Sequence, residues 1–262
     1  MKFYCVVWLL LAVNVVFGNK SAKFRHRPTF LTISTETRRD ITIPIVVHLD
    51  FKLSKKLAKE HSFKTRKKIK TIVSNVFKEA NVLFRRPSLN QTITLKLLDT
   101  KFFRKTTAVA MDENATNYLR SYCQWQSLKK VKQKKLYYSV LLTGLDLFYI
   151  KNGRAVKSST ARSYANGVCS MQKSCTLIEW NPKNMGYLLA HEIGHSLGIT
   201  HDGLPFNNCG GFKGIMQPKY DSSNHPQVWS PCSRVSFEYF LRSEKSWCIQ
   251  NDEKRRLKYK FS

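Results

Sequence analysis

Three imidazoles and one carboxylate stand at fixed offsets in His191-Glu192-Ile193-Gly194-His195-Ser196-Leu197-Gly198-Ile199-Thr200-His201-Asp202. On a helix, residues four apart share a face, so His191 and His195 can aim at one metal ion. Glu192 follows the first ligand and falls beside the ion, where a general base must be to hold a water molecule. Gly198 is placed to stop that helix, because glycine accepts the left-handed conformation that ends helices and reverses the chain. The reversal carries His201 back as a third nitrogen ligand. Three protein ligands leave the fourth position of a Zn2+ ion open to water, the arrangement of catalytic rather than structural zinc. One Zn2+ per chain is expected. The remaining histidines, His26, His48, His61 and His225, lack such spacing and read as surface or hydrogen-bonded residues.

The elements that must position these groups are legible in outline. Asn181-Pro182 offers a cap and a first-position proline for a helix that would carry Leu188, Leu189, His191 and His195. Met216, in Gly214-Ile215-Met216-Gln217-Pro218, lies fifteen residues beyond His201 in a turn-forming context. Methionine fills irregular gaps well, and taken alone Met216 reads as ordinary core packing. Upstream, Ile41 to Phe51 is β-branched and apolar, a first strand. Ile69, Ile72, Val73, Val76, Phe77 and Ala80 recur at helical spacing and define a basic amphipathic helix. Pro87 ends that pattern, and Gln91 to Leu98 alternates as a second strand. Tyr137 to Leu147 is a continuous apolar run suited to a strand buried on both faces. Ser158 to Cys175 reads as an edge strand and loop, and Ser233 to Ser243 as a C-terminal helix.

Length and composition set the frame. The chain has 262 residues, enough for one large domain with a proper core. Residues 1–18 read as a secretory signal, with Lys2, the apolar run Val6 to Val16, and Gly18 for cleavage. That run is too short for a membrane span, and no later segment is apolar enough for one. Beyond Cys5 in the leader, six cysteines remain (Cys123, Cys169, Cys175, Cys209, Cys232, Cys248). An even count suits three disulfides in an oxidising compartment, with fifteen pairings open. Asn90 and Asn114 head N-x-T sequons and are glycosylation candidates; Asn19 heads an N-x-S sequon beside the cleavage point. A secreted, extracellular monomer follows. The net charge is +28, or +27 without Lys2. Clusters at Lys64 to Lys70, Lys129 to Lys135 and Lys254 to Lys260 should together attract polyanions. Heparan sulfate and anionic surfaces fit better than nucleic acid, since no nucleic-acid-binding motif accompanies the charge.

With these pieces in place, the chain resembles the reprolysin branch of the metzincin zinc proteases, closest to the ADAMTS catalytic domain. The resemblance runs from about Ile41 to Asn251. Besides the histidine motif it rests on Ile72-Val73-Ser74-Asn75-Val76-Phe77 through Pro87-Ser88-Leu89 and on Leu141-Leu142-Thr143-Gly144-Leu145-Asp146. It rests equally on Gly167-Val168-Cys169 through Glu179, and on Trp229-Ser230-Pro231-Cys232-Ser233. Gly214 to Pro218 is similar to the metzincin Met-turn, and Asp202 directly after the third ligand is typical of reprolysins.

The resemblance implies an α/β (α+β) metzincin fold. Its parts are a twisted, mixed, mostly parallel five-stranded sheet, long helices, an active-site helix, the Met-turn, a C-terminal helix and three disulfides. It implies the pairs Cys123–Cys175, Cys169–Cys248 and Cys209–Cys232, with a local Cys169–Cys175 bridge as the alternative. Calcium is only weakly implied: Asp50 and Asn251 match family ligand positions, but Pro44 stands where an acidic ligand is expected. The domain plan is signal 1–18, short basic segment 19–40, protease domain 41–251 and basic tail 252–262. Neither a long prodomain nor an ancillary module is read in the sequence. The implied activity is zinc-dependent endopeptidase cleavage of extracellular proteins, with Glu192 as base and acid and Asp202 orienting structure around the third ligand. Substrate would pair with the edge strand near Ser159 to Val168, and Gln217 to Val228 would wall the specificity pocket. The alternative is a secreted polyanion- or matrix-binding effector that keeps the zinc fold.

Overall fold

The computed structural model describes residues 40–60, 65–157, 161–219, 221, 223 and 225–250. The leader, Asn19, the segment 19–39, Lys64, Asn251 and the tail 252–262 lie outside the described residues. Five strands form one sheet in the order β2-β1-β3-β7-β6. These are β1 (Asp40–Leu49), β2 (Thr92–Phe102), β3 (Tyr138–Thr143), β6 (Ala161–Ser163) and β7 (Cys175–Glu179). β1 pairs in parallel with β2 and β3, and β3 with β7, while the edge strand β6 runs antiparallel to β7. β4 (Tyr149–Lys151) and β5 (Arg154–Val156) form a separate hairpin.

Alternation along the strands splits the interior into two cores, because successive side chains leave opposite faces of a sheet. Ile43, Ile45, Val47, Leu49, Tyr138, Val140 and Leu142 belong to the larger core. It also holds residues from helices α2 (Thr65–Phe84), α4 (Met185–Ser196) and α5 (Pro231–Arg242). Leu141, Cys175 and Leu177 face the other way, onto α3 (Ala115–Gln133). Every residue of β3 is buried, as a strand covered by helices on both faces requires.

Several boundaries differ from those the sequence suggests. Phe51 is not in β1: it opens α1 (Phe51–Glu60), where Asp50 Oδ1 accepts from the Leu53 amide at 2.7 Å as an N-terminal cap. β2 runs on to Phe102, and β3 stops at Thr143. α4 begins at Met185 rather than at Asn181-Pro182. Asn181 Oδ1 accepts from the Lys183 amide at 3.3 Å, so this pair closes a short turn and the helix starts after it. α3 escapes the sequence reading altogether. Its buried stripe is Ala115, Tyr118, Leu119, Tyr122, Cys123, Gln126 and Lys130, and the two polar members hide the helical period.

The disulfides are Cys123–Cys175, tying α3 to β7, Cys169–Cys248, and Cys209–Cys232. The last one links the segment after His201 to the start of α5. Asp50, matched in the sequence to a calcium position, turns inward instead. Its carboxylate accepts from the Leu53 and Gly144 amides and from the hydroxyls of Tyr118 and Thr143, which leaves it facing protein donors. Among the described residues, no helix is long and apolar enough to cross a membrane.

Candidate functional site

α4 carries His191, Glu192 and His195 and packs into the larger core, where Tyr187, Leu188, Leu189, Ala190 and Ile193 are buried. The helix ends at Ser196. Gly198 follows at φ +81°, where an added Cβ would also meet Asn166 Oδ1 at 2.7 Å and Phe240 Cβ at 2.9 Å. This left-handed residue returns the chain so that His201 Nε2 lies 3.2 Å from His191 Nε2 and 3.0 Å from His195 Nε2.

The outer nitrogens are already committed. His191 Nδ1 donates to the Ile215 carbonyl at 2.8 Å, and His195 Nδ1 to the Ile199 carbonyl at 2.9 Å. A carbonyl can only accept, so both rings carry their proton on Nδ1 and turn a bare Nε2 lone pair inward. Three converging Nε2 atoms, of which at most His201 could offer a hydrogen, cannot satisfy one another. A cation satisfies all three. Tetrahedral zinc about 2.1 Å from each nitrogen would set the nitrogens about 3.4 Å apart, close to the spacing found. Burial, then the neighbouring imidazoles, holds His195 well below its ordinary pKa, and burial followed by His191 lowers His201 to about 4. Both are neutral near pH 7, as metal ligands must be. Among the described residues this is the only cluster of three His, Cys, Asp or Glu groups able to hold an ion.

Glu192 is buried, and Ser163 on the edge strand places its hydroxyl 2.6 Å from Glu192 Oε2 and 2.9 Å from the Glu192 carbonyl. Burial pushes the Glu192 carboxyl up; His191, the Ser163 hydrogen bond and Arg162 pull the other way. Ser163 has no signal in the sequence, since only the antiparallel pairing of β6 with β7 brings it to α4.

The turn that carries Met216 packs against α4 at Gly194. Met216 is fully buried, and its carbonyl accepts from the Asp202 amide at 2.9 Å. A Cβ on Gly194 would meet Met216 Sδ at 2.9 Å and the Trp229 ring at 3.2 Å, so that close approach requires glycine inside the helix. Ile215, beside Met216, accepts from both His191 and the Tyr187 hydroxyl. Asp202 is buried and accepts from Ser230, whose Oγ also caps α5 through the Ser233 amide at 2.9 Å. Asn207 Nδ2 donates to the His201 carbonyl at 2.8 Å, and its Oδ1 accepts from Gly203 and Cys209. Asn207 and Ser230 are thus supports of the third histidine that spacing alone does not reveal. Asn114 caps α3, and Asn90 is an exposed left-handed residue after the turn Pro87–Leu89.

Residues 45–253 match the family model described as reprolysin (M12B) family zinc metalloprotease. This chain belongs to the reprolysin family. Among curated relatives, a disintegrin and metalloproteinase with thrombospondin motifs 18 of Mus musculus is 28% identical over 86% of this chain and 18% of its own length. The motifs 16 protein of Homo sapiens is 28% identical over 90% of this chain and 19% of its own. This reprolysin-family chain therefore spans about a fifth of the length of those relatives. Among solved structures, metalloproteinase-II from Bacteroides fragilis aligns with 80% of the chain and 56% of its own at 15% identity and a TM-score of 0.49.

Proposed function

We propose that the chain is a secreted zinc metalloendopeptidase acting on extracellular proteins, with residues 41–251 as the peptidase domain, 1–18 a leader, 19–40 a short basic segment and 252–262 a basic tail. The observation that carries the reading is the trio of inward-facing Nε2 atoms with a buried carboxylate on the adjacent residue. His191, His195 and His201 would hold the ion. Bound zinc supplies a Lewis acid for the scissile carbonyl and a water of lowered pKa.

The chain's own residues do the rest. Glu192 Oε2, fixed by Ser163, takes the proton of the attacking water and passes it to the departing amine nitrogen. Among the described residues β6 is the terminal strand of the sheet, and an extended substrate would pair with its outer edge as an added strand. Gln217 to Val228 would wall the specificity pocket, anchored where the Val228 carbonyl accepts from the Ile215 amide at 2.9 Å. Asp202 orients the third ligand through the Met216 and Ser230 contacts already described. Glycans would attach at Asn90 and Asn114, and the protein would act as a monomer. Its charge would draw it to anionic surfaces such as heparan sulfate, while the inward-turned Asp50 argues against calcium there.

Incubation of purified protein with a peptide library should yield cleavage that phenanthroline abolishes and zinc restores. Retention of a biological effect by Glu192→Ala equal to that of the native chain would instead favour the binding-effector reading.

A further inference from the structure

On the α3 side of the sheet, the end of β2 and the middle of α3 border an open cleft of about 340 Å³ that shares no residue with the histidine site. Lys101, Arg104 and Lys129 line it, and no acidic residue does. The ion pairs among the described residues leave all three cations out; Asp99, two residues from Lys101, sits 3.5 Å from Lys70. Cations gathered without counter-charge repel. Lys129 registers this, its pKa lowered by burial and then by Lys101.

The floor of the cleft is aromatic. Trp125 and Phe103 meet edge to face with centroids 5.0 Å apart, and His48 packs 5.3 Å from Phe103 and 5.4 Å from Trp125. Lys129 Nζ stands 3.9 Å from the Trp125 ring centroid, a cation–π contact that holds the ammonium against the wall. His48 adds no charge: burial, Lys101, Lys129 and Lys130 depress it to about 3, against a smaller opposing pull from Asp99. Thr107 Oγ1 accepts from the Arg104 amide at 3.0 Å and folds the loop back so that Arg104 stays at the rim.

We propose that this cleft is a binding site for a sulfated glycan, with Lys101, Arg104 and Lys129 pairing its sulfo groups above the aromatic floor. A sulfate ester is anionic at every physiological pH, and guanidinium and ammonium donors pair with such oxyanions through charge-assisted hydrogen bonds. The volume falls in the range of small-ligand sites. Three disulfides belong to an oxidising compartment, where sulfated sugars rather than nucleic acids are the abundant polyanions. The inference rests on the polyanion attraction proposed above and narrows a diffuse field to one place.

The test is calorimetric titration of the full chain with a heparin-derived tetrasaccharide at physiological salt. Lys101→Gln/Lys129→Gln is compared with Lys132→Gln/Lys135→Gln, which removes the same charge from exposed positions outside the cleft. Loss of two charge-assisted contacts predicts at least about 10-fold weaker binding for the cleft pair and no more than about 3-fold for the control. Equal losses in both would overturn the site and leave the general attraction standing; no binding by the native chain would overturn both. A sulfotyrosine peptide or an oligonucleotide that binds more tightly than the sugar would overturn the ligand class. Photo-crosslinking of the tetrasaccharide to the native chain gives a readout free of mutation, with adducts expected within residues 101–108 and 125–129; adducts elsewhere would refute the proposal.

Discussion

His48 and the triad His191, His195 and His201 show how the wiring of the second ring nitrogen decides what a histidine can do. In the triad, backbone carbonyls take the Nδ1 protons of His191 and His195 and leave Nε2 bare. At His48 both nitrogens are engaged, Nδ1 with the Tyr122 hydroxyl at 3.0 Å and Nε2 with Gln126 Nε2 at 3.4 Å. Burial depresses the pKa of His48, His195 and His201 alike, and it therefore does not distinguish the two regions. The difference lies in whether the ring's partners close its hydrogen bonds or leave one lone pair pointing into shared space.

The comparison breaks most sharply at the carboxylate. Glu192→Gln should lower peptide hydrolysis by about 10²–10⁴-fold, the usual contribution of a general base. Zinc content measured by elemental analysis should stay at that of the native chain, and loss of the metal in that variant would assign Glu192 a structural role. Gly194→Ala, which presses a methyl against Met216 Sδ, should destabilise by about 1–3 kcal/mol in denaturant melts as an overpacked core does. His48→Leu should destabilise by a similar amount, about 1–3 kcal/mol, by removing the buried hydrogen bond between His48 and the Tyr122 hydroxyl. Its zinc content should not change; a fall would tie the two regions together.

Ser163→Ala removes one hydrogen bond from a carboxylate and should reduce kcat about 10-fold with little change in KM, on the scale of a bond to a charged group. An unchanged kcat and unchanged pH profile would demote Ser163 to a packing residue. A pH-dependent effect concerns Lys130, buried on α3 with its ammonium donating to the Ser174 carbonyl and hydroxyl at 2.9 and 2.8 Å. Burial lowers its pKa from 10.5 to about 7. Between those values the unfolded chain keeps a proton the folded chain has released, so stability should rise with pH across that window, and the penalty is complete below it. Melts from pH 6 to 10 should show this slope in the native chain and a flatter one in Lys130→Met; identical slopes would contradict it.

The ligands and their spacing were readable because a metal centre demands specific residue types at helical offsets, and the main strands because apolar runs must be buried. α3 was not, because Gln126 and Lys130 occupy its buried face and are satisfied from outside the helix, by Ser139 in β3 and Ser174 just before β7. Ser163, Asn207 and Ser230 were hidden for the same reason: small polar residues acquire meaning only from the contacts that tertiary structure brings them. The carbonyls of Ile199 and Ile215 leave no trace in residue type at all. Asp50 shows the converse, a residue whose family match suggested an ion and whose surroundings supply amides and hydroxyls instead.

The segment 217–228 departs from and returns to one firmly held place. Before it, the Met216 carbonyl is bonded to Asp202; after it, the Trp229 amide donates to Ser88 Oγ at 3.0 Å and the Trp229 indole to the Leu83 carbonyl at 2.9 Å. A stretch pinned at both feet can change length and composition between copies of such a gene without disturbing what it is attached to. Substitutions within those dozen residues should therefore leave the arrangement of His191, His195 and His201 unchanged.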